Sequence, residues 1–166
     1  ILHDGFDCVI RTGASPEDGV IARPLGKLTV VNCASPHYLT RFGYPQSPDD
    51  LTSHAIVRYT PHLGVHPLGF EVASVNGVQW FKSGGMLTVN SRENYLAAGL
   101  AGLGIIQIPR IAVREALRAG RLIEVLPGYR AEPLSLSLIY PQRRELSRRV
   151  NLFMQWLAGV MKEYLD

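Results

Sequence analysis

The junction between an apolar strand and a helix, LTVVNCASPHYLTRFG at residues 28–43, holds the side chain best placed to bind a ligand. Ser35 follows the apolar run and precedes Pro36, so its hydroxyl can accept from a free backbone N–H, and proline fills a position that needs no donor. Unpaired N–H groups and the helix dipole favour negative charge at such a point. The same residues also fit a helix cap that contacts no ligand, and the sequence leaves both interpretations open.

Two further polar residues, Arg11 and Thr12, end the first predicted strand. Side chains at a strand end can line a cleft, because ligands of open α/β sheets bind where strands end. An exposed polar strand end without a ligand is the default explanation for them.

Catalytic and metal-binding patterns are absent from the sequence. The histidines form neither an HExxH motif nor a Cys/His set at zinc spacing: His3, His37, His54, His62 and His66. There is no GxSxG motif, and Ser35 lies too close to His37 along one helix start to form a nucleophile–base pair. The glycines at 99, 102 and 104 run GxxGxG, the reverse of a dinucleotide loop, and predict a tight turn with close helix–strand packing. We therefore expect no enzyme, no cofactor and no metal.

The 166-residue chain has a globular composition, with 46% hydrophobic and 19% charged residues. No apolar run approaches the roughly 20 residues of a membrane-spanning helix, and the start lacks the features of a secretion signal. Cys8 and Cys33 lie in apolar runs without CxxC spacing, as reduced core cysteines of cytosolic proteins do. The net charge of +3 includes two arginine pairs, at 143–144 and 148–149, that favour a solvated helix face over a nucleic-acid surface. We expect a cytoplasmic protein without membrane contact.

Strands alternate with helices along the chain, which predicts an α/β sheet with parallel pairs. Strands are expected near 5–13, 20–25, 28–34, 56–59, 86–89, 105–108, 122–126 and 134–140. Helices are expected from Pro36, Pro48, Asn90, Ile111 and Ser147, and loops at 14–19 and 60–69. Residues 70–81 form either a hairpin around Asn76-Gly77 or a loop. The last helix has the clearest apolar stripe, at Leu146, Val150, Phe153, Leu157, Val160, Met161 and Tyr164.

Five segments, in order, resemble the effector-binding domain of a LysR-type transcriptional regulator. They are GFDCVIRTG (5–13), VIARPLGKLTVVNCASPHYLTRFGYPQSPDDLTSHAIVRY (20–59), LTVNSRENYLAAGLAGLGIIQIP (87–109), GRLIEVLP (120–127) and LIYPQRRELSRRVNLFMQWL (138–157). One segment alone is moderately specific, but five in register with matching spacings are a strong resemblance.

The resemblance implies a two-lobed α/β fold like that of periplasmic binding proteins, with two crossover strands near 20–34 and 127–140. Residues 1–26 and 131–166 would form the first lobe, and residues 27–130 the second. The first lobe is expected to be incomplete, because the family's helix-turn-helix domain, linker helix and first lobe elements would precede Ile1. The resemblance also implies a homo-oligomer, a dimer or a tetramer, that binds operator DNA only through that N-terminal domain.

A small-molecule effector is expected in the cleft between the lobes. The resemblance implies contacts at Arg11, Thr12, Gly13, Ser35, Leu103, Gly104 and Ile105. An anionic or aromatic effector would suit Arg11 as a charge partner, the N–H groups near Ser35, and an apolar floor from Leu103 and Ile105. Binding would shift the population of lobe arrangements and so transcription. A solute-binding protein of a transport system is the alternative with the same fold.

Overall fold

A computed structural model describes residues 6–13, 19–60, 69–142 and 147–165. The expected loops at 14–19 and 60–69 lie largely outside these residues, and so do His3, His62, His66, Leu146 and the pair at 143–144. In chain order the elements are β1 (Val9–Thr12), β2 (Val20–Leu28), β3 (Val30–Ala34), α1 (Pro36–Phe42), a 3-10 helix (Pro48–Ser53), β4 (Ala55–Tyr59), β5 (Phe70–Ser74), β6 (Gly77–Phe81), β7 (Gly84–Val89), α2 (Arg92–Leu100), β8 (Ile106–Pro109), α3 (Arg110–Arg118), β9 (Ile123–Glu124), β10 (Leu134–Pro141), α4 (Arg148–Met161) and a 3-10 turn (Lys162–Tyr164).

The chain divides into two compact units and passes between them twice. The first unit comprises Ile1–Thr29 and Pro133–Asp166, and the second comprises Val30–Glu132. The two passages therefore fall after Thr29 and after Glu132.

The first unit contains a three-stranded sheet in the order β1-β10-β2, with both pairings antiparallel. The central strand β10 supplies the buried side chains Leu136, Leu138 and Ile139. A register shift between Leu136 and Ser137 marks an irregularity in its pairing with β2.

The last α-helix of the chain, α4, belongs to the first unit. The Ser147 hydroxyl accepts from the Val150 N–H at 3.3 Å, which confirms the predicted cap. Met154 is buried, but Phe153, Val160 and Tyr164, which the periodicity assigns to the apolar stripe, are exposed. The helix is therefore confirmed, whereas three residues of its predicted stripe are exposed in the described part of the chain.

The second unit is organised around β3, all five residues of which are buried. Val31 and Cys33 pack in one apolar cluster with Ile106 and Val113, and Ala34 packs in another cluster. Because apolar clusters cover both of its faces, the strand reads as a nearly continuous apolar run instead of an alternating one. The predicted buried strand is confirmed, although Leu28 ends β2 rather than beginning β3.

The strand pairings of the second unit are mostly antiparallel. β3 pairs antiparallel with β8 and β9, and β5 forms a hairpin with β6, whereas β4 and β7 are parallel. A parallel bridge between Ile56 and Ile105 links β4 to the residue before β8. The predicted parallel pairs are found at β4, whereas β3 pairs antiparallel on both sides. Alternation of strands and helices does not by itself set the direction of each strand.

Local signals place most element ends within a few residues. The hairpin at 70–81 is confirmed, but its two-residue turn is Val75-Asn76, and Gly77 already pairs with Ser74. The cap of α2 is Ser91 rather than Asn90, since the Ser91 hydroxyl accepts from the Asn94 N–H at 3.3 Å. The strand expected at 122–126 shortens to β9.

Candidate functional site

Ser35 caps α1 from a buried position. Its side chain is 3% exposed, and its hydroxyl accepts from the Tyr38 N–H at 3.2 Å. Gly43 ends the helix with φ at +83° and donates its N–H to the Leu39 carbonyl. The predicted start and end of the helix are therefore confirmed, and the hydroxyl of Ser35 has a structural hydrogen bond.

A glycine turn lies against this end of the helix. A Cβ on Gly102 would come within 3.0 Å of the Ser35 hydroxyl oxygen and 3.3 Å of the His37 ring, and the φ of Gly102 is +77°. A side chain at this position would therefore both strain the backbone and collide with the cap. The close approach brings Ser35 next to the turn that carries Leu103 and Gly104.

The three predicted site residues of this turn have different environments. Leu103 is 51% exposed, whereas Ile105 is fully buried and donates its N–H to the Ala55 carbonyl at 2.9 Å. A Cβ on Gly104 would lie 2.5 Å from the Ala55 carbonyl oxygen, so this glycine packs the turn onto β4. The apolar surface open to a ligand here belongs to Leu103, while Ile105 is a core residue.

The predicted site residues of the first unit lie at the end of β1. Arg11 pairs with Ser137 and Thr12 with Leu136 on β10. Gly13 follows with φ at +64° and donates its N–H to the Ser135 carbonyl at 2.9 Å. The sheet thus holds the backbone of all three, with Arg11 and Gly13 exposed and Thr12 half-buried.

A buried amide pair in the second unit was missed by the sequence reasoning. Asn32 on β3 donates to the carbonyls of Leu126 and Tyr129, and accepts from the Gln107 amide at 2.9 Å. Gln107 in turn bonds both backbone groups of Glu71. The signal in the sequence was an asparagine inside an apolar strand that is predicted to be buried. Asn32 is fully buried in the structure, and a buried amide requires hydrogen-bonding partners.

Tyr38 and His54 form a second buried polar contact beside the candidate site. The tyrosine oxygen lies 3.1 Å from His54 Nδ1 and accepts from the Ala55 N–H at 2.9 Å. Burial lowers the pKa of His54 and raises the pKa of Tyr38, since it disfavours the charged form of each group. Both side chains are thus held neutral near pH 7.

The cysteines lie in environments that suppress their reactivity. Cys33 is fully buried, and burial together with the nearby Glu124 carboxylate raises its pKa to about 12. Burial and Asp7 also raise the pKa of Cys8. Because the thiolate is the nucleophile, Cys33 does not provide a reactive group. Within 6–13, 19–60, 69–142 and 147–165, no three or more His, Cys, Asp or Glu side chains group as a metal site would require.

A cavity of about 230 Å³ lies beyond the other end of α1. Its lining comes from Tyr44, Pro45 and Gln46 and from residues 124–129. The Glu124 carboxylate in its wall is bound by Arg110 at 2.7 Å and by Arg130 at 2.6 Å. This cavity contains none of the predicted site residues.

No helix in the described ranges is both long and apolar enough to cross a bilayer.

The sequence of this chain is similar to a family model and to bacterial transcriptional regulators. The sequence model of the LysR substrate binding domain matches residues 1–162. The chain is 97% identical over 166 residues to the HTH-type transcriptional regulator YhjC of Escherichia coli K12, covering all of this chain and 56% of that protein. It is 34% identical over 150 residues to an HTH-type transcriptional regulator of Haemophilus influenzae, covering 90% of this chain and 51% of that protein. The chain thus spans about half the length of these relatives.

Solved structures show the same fold. The regulatory domain of CrgA from Neisseria meningitidis has a TM-score of 0.82 at 24% identity, over 96% of this chain and 77% of that one. The full-length virulence activator AphB of Vibrio cholerae has a TM-score of 0.77 at 25% identity, over 95% of this chain and 52% of that one. The expected two-lobed α/β fold is confirmed, and the transport alternative finds no support among these proteins. The chain belongs to the LysR family of transcriptional regulators, as a substrate-binding domain of that family.

Proposed function

We propose that this domain senses a small-molecule effector through residues of both units and releases it chemically unchanged. The first lobe, residues 1–26 and 131–166, supplies Arg11, Thr12 and Gly13. The second lobe, residues 27–130, supplies Ser35 and the turn Leu103, Gly104 and Ile105. The observation that supports this assignment is the close approach of the glycine turn to the Ser35 cap beside an exposed Leu103.

The chemistry of these residues favours an anionic or aromatic effector. Arg11 offers a permanent positive charge, and Leu103 offers an apolar surface. The Ile105 side chain supports the turn from the core, so its contribution is to position Gly104 and Leu103. The Ser35 hydroxyl oxygen accepts from the backbone N–H of Tyr38. The hydroxyl proton of Ser35 therefore stays available as a donor to an effector oxygen.

Effector binding acts by shifting a conformational population. A ligand that prefers one arrangement of the lobes stabilises it by the difference of its affinities for the two. Coupling of about 1–3 kcal/mol changes a second affinity by roughly 5–150-fold. In the whole cytoplasmic regulator, a homo-oligomer, this change reaches operator DNA through the N-terminal domain.

A thermal-shift screen of aromatic and aliphatic carboxylates against the purified chain tests the proposal. A true effector at 100 times its Kd adds about 2.7 kcal/mol to the free energy of unfolding. Arg11→Ser and Leu103→Ser should each reduce the rise in melting temperature that the effector causes. The matched control is Val75→Ser, an exposed apolar residue at the hairpin turn, which should retain it.

A hit is then added to the full-length relative, and its operator affinity is measured with and without the compound. An effector should change that operator affinity by roughly 5–150-fold. The proposal is wrong if the Arg11 and Leu103 variants bind the hit as tightly as the unchanged chain, or if the hit leaves operator binding unaltered.

A further inference from the structure

The hairpin of β5 and β6 has one edge that the second unit occupies. In an antiparallel pair, residues that bond to the opposite strand alternate with residues whose backbone groups point away from it. Glu71 on β5 bonds the Gln107 side chain through both its N–H and its carbonyl. Ala73 donates its N–H to the Arg130 carbonyl at 2.8 Å. The backbone groups of Glu71 and Ala73 therefore point away from β6 and are used by the second unit.

The outer edge of β6 is open. Trp80 lies opposite Glu71, and Val78 lies opposite Ala73. By the same alternation, the N–H and carbonyl groups of Val78 and Trp80 point away from β5. Within the part of the chain that the structure describes, no residue bonds to these backbone groups. Residues 77–80 are all exposed, so another strand can reach the edge.

The strand β6 lacks the features that commonly keep a sheet edge from pairing. Charged side chains, prolines and bulges protect many edge strands. The sequence of β6 is GVQWF, without charge or proline, and its register with β5 is regular. Val78 and Trp80 place apolar side chains, 37% and 46% exposed, on one face of the strand, because they are two residues apart. Such an edge is suited to the addition of another strand.

We propose that β6 is an interface between two copies of this chain, paired antiparallel about a twofold axis at Gln79. This register places Val78 opposite Trp80 of the second copy, so that the open N–H and carbonyl groups of both strands bond to each other. The Val78 and Trp80 side chains of each pair then lie on the same face and contact each other.

The strand is its own complement in this register, which favours a second copy over an unrelated peptide. Lys82 falls opposite Asn76 of the second copy, so no like charges meet across the axis. The contact adds an interface to the homo-oligomer of the proposed function. It forms without an effector, so its test is separate from the test of effector binding.

A disulfide at the twofold axis tests the register. The two Gln79 residues would form a pair without hydrogen bonds, in which Cα atoms are about 4.5 Å apart and within reach of a disulfide. Gln79→Cys is introduced into the purified chain together with Cys8→Ser, which leaves Cys33 as the buried native thiol. Oxidation with diamide should then give a covalent dimer on a denaturing gel without reductant.

The matched control is Val75→Cys in the same background. Val75 is fully exposed at the hairpin turn, but the proposed register separates the two copies of this position by roughly 25 Å. Its cross-linking should be slower than that of Gln79→Cys by at least about tenfold, because only the paired thiols have a high effective concentration.

A proline at position 78 tests whether the backbone carries the contact. Val78→Pro in the Gln79→Cys chain removes an N–H from the outer edge but none that bonds to β5. Cross-linking should slow by at least about tenfold relative to Val78→Thr, which keeps the N–H. Circular dichroism checks that both variants remain folded.

Two results would overturn the proposal. One is equal cross-linking rates at positions 75 and 79, because random collision would then explain the dimer. The other is unchanged cross-linking in a folded Val78→Pro variant, because the contact would then not use the backbone of β6. If Val78→Pro does not fold, the comparison of positions 75 and 79 still decides the outcome.

Discussion

At the scale of single residues, Asn32 joins three parts of the second unit. Its amide donates to the 126–129 turn and accepts from Gln107, and Gln107 bonds β5 through both backbone groups of Glu71. All of these groups lie in or beside an apolar core, where an unpaired polar atom is costly.

Replacing Asn32 by alanine should therefore destabilise the second unit strongly. Loss of its three hydrogen bonds leaves the turn carbonyls without this donor, and we expect the free energy of unfolding to fall by about 2–4 kcal/mol. Urea denaturation measures the change. Asn94→Ala is the matched control, because the Asn94 side chain is exposed on α2, and it should change stability by less than about 0.5 kcal/mol.

His54 should make stability depend on pH just below neutrality. Burial keeps the pKa of His54 in the folded chain below its ordinary value of 6.5, so the unfolded chain takes up the proton first. Stability from this group is then complete above pH 6.5 and declines as the pH falls toward the folded pKa. Chemical denaturation between pH 5 and 7.5 measures the slope, and His54→Gln should flatten it. An unchanged slope in the variant would assign the dependence to other groups.

At the scale of elements, the glycine turn after α2 packs closely against neighbouring strands. The GxxGxG run predicts a tight turn with close packing, and the structure confirms it. A Cβ on Gly99 would lie 2.6 Å from the Ile106 side chain, and one on Gly104 would lie 2.5 Å from a backbone oxygen of β4. The turn is thereby fixed against both a strand and the Ser35 cap.

Gly104→Ala should cost more than an ordinary surface substitution. The added methyl meets a carbonyl that cannot rotate away, and φ at +157° is unfavourable for a side chain. We expect a loss of about 2 kcal/mol or more in the free energy of unfolding. In contrast, Gly159→Ala in α4 meets nothing within 4 Å and should gain up to about 1 kcal/mol. Similar effects of the two substitutions would contradict this packing account.

At the scale of the whole molecule, both apolar clusters lie within Val30–Glu132. This continuous stretch holds the capped helices α1 and α2, the Asn32–Gln107 contact and the Tyr38–His54 pair. It has the attributes of a unit that folds independently of the remaining chain.

A polypeptide limited to residues 30–132 should therefore unfold cooperatively. Its single tryptophan, Trp80, and near-ultraviolet circular dichroism report on tertiary packing during thermal unfolding. The control is the same polypeptide with Asn32→Ala, which should melt at lower temperature. A gradual loss of signal without a transition would show that the second unit depends on the first.

The sequence by itself determined the local structure and the family. Ser35, Pro36 and Gly43 predict α1, because caps and helix stops act within a few residues. Five segments in register predict the two-lobed α/β fold. Strand direction and the hydrogen-bonding partners of Asn32 required the tertiary structure.

The physical reason is the range over which each interaction acts. A cap is set by neighbours along the chain, whereas the partners of Asn32 lie more than 70 residues away in sequence. The apolar stripe of α4 illustrates the same division. Periodicity specifies that Phe153 and Met154 both lie on a helix, but only packing decided that Met154 is buried and that Phe153 is exposed.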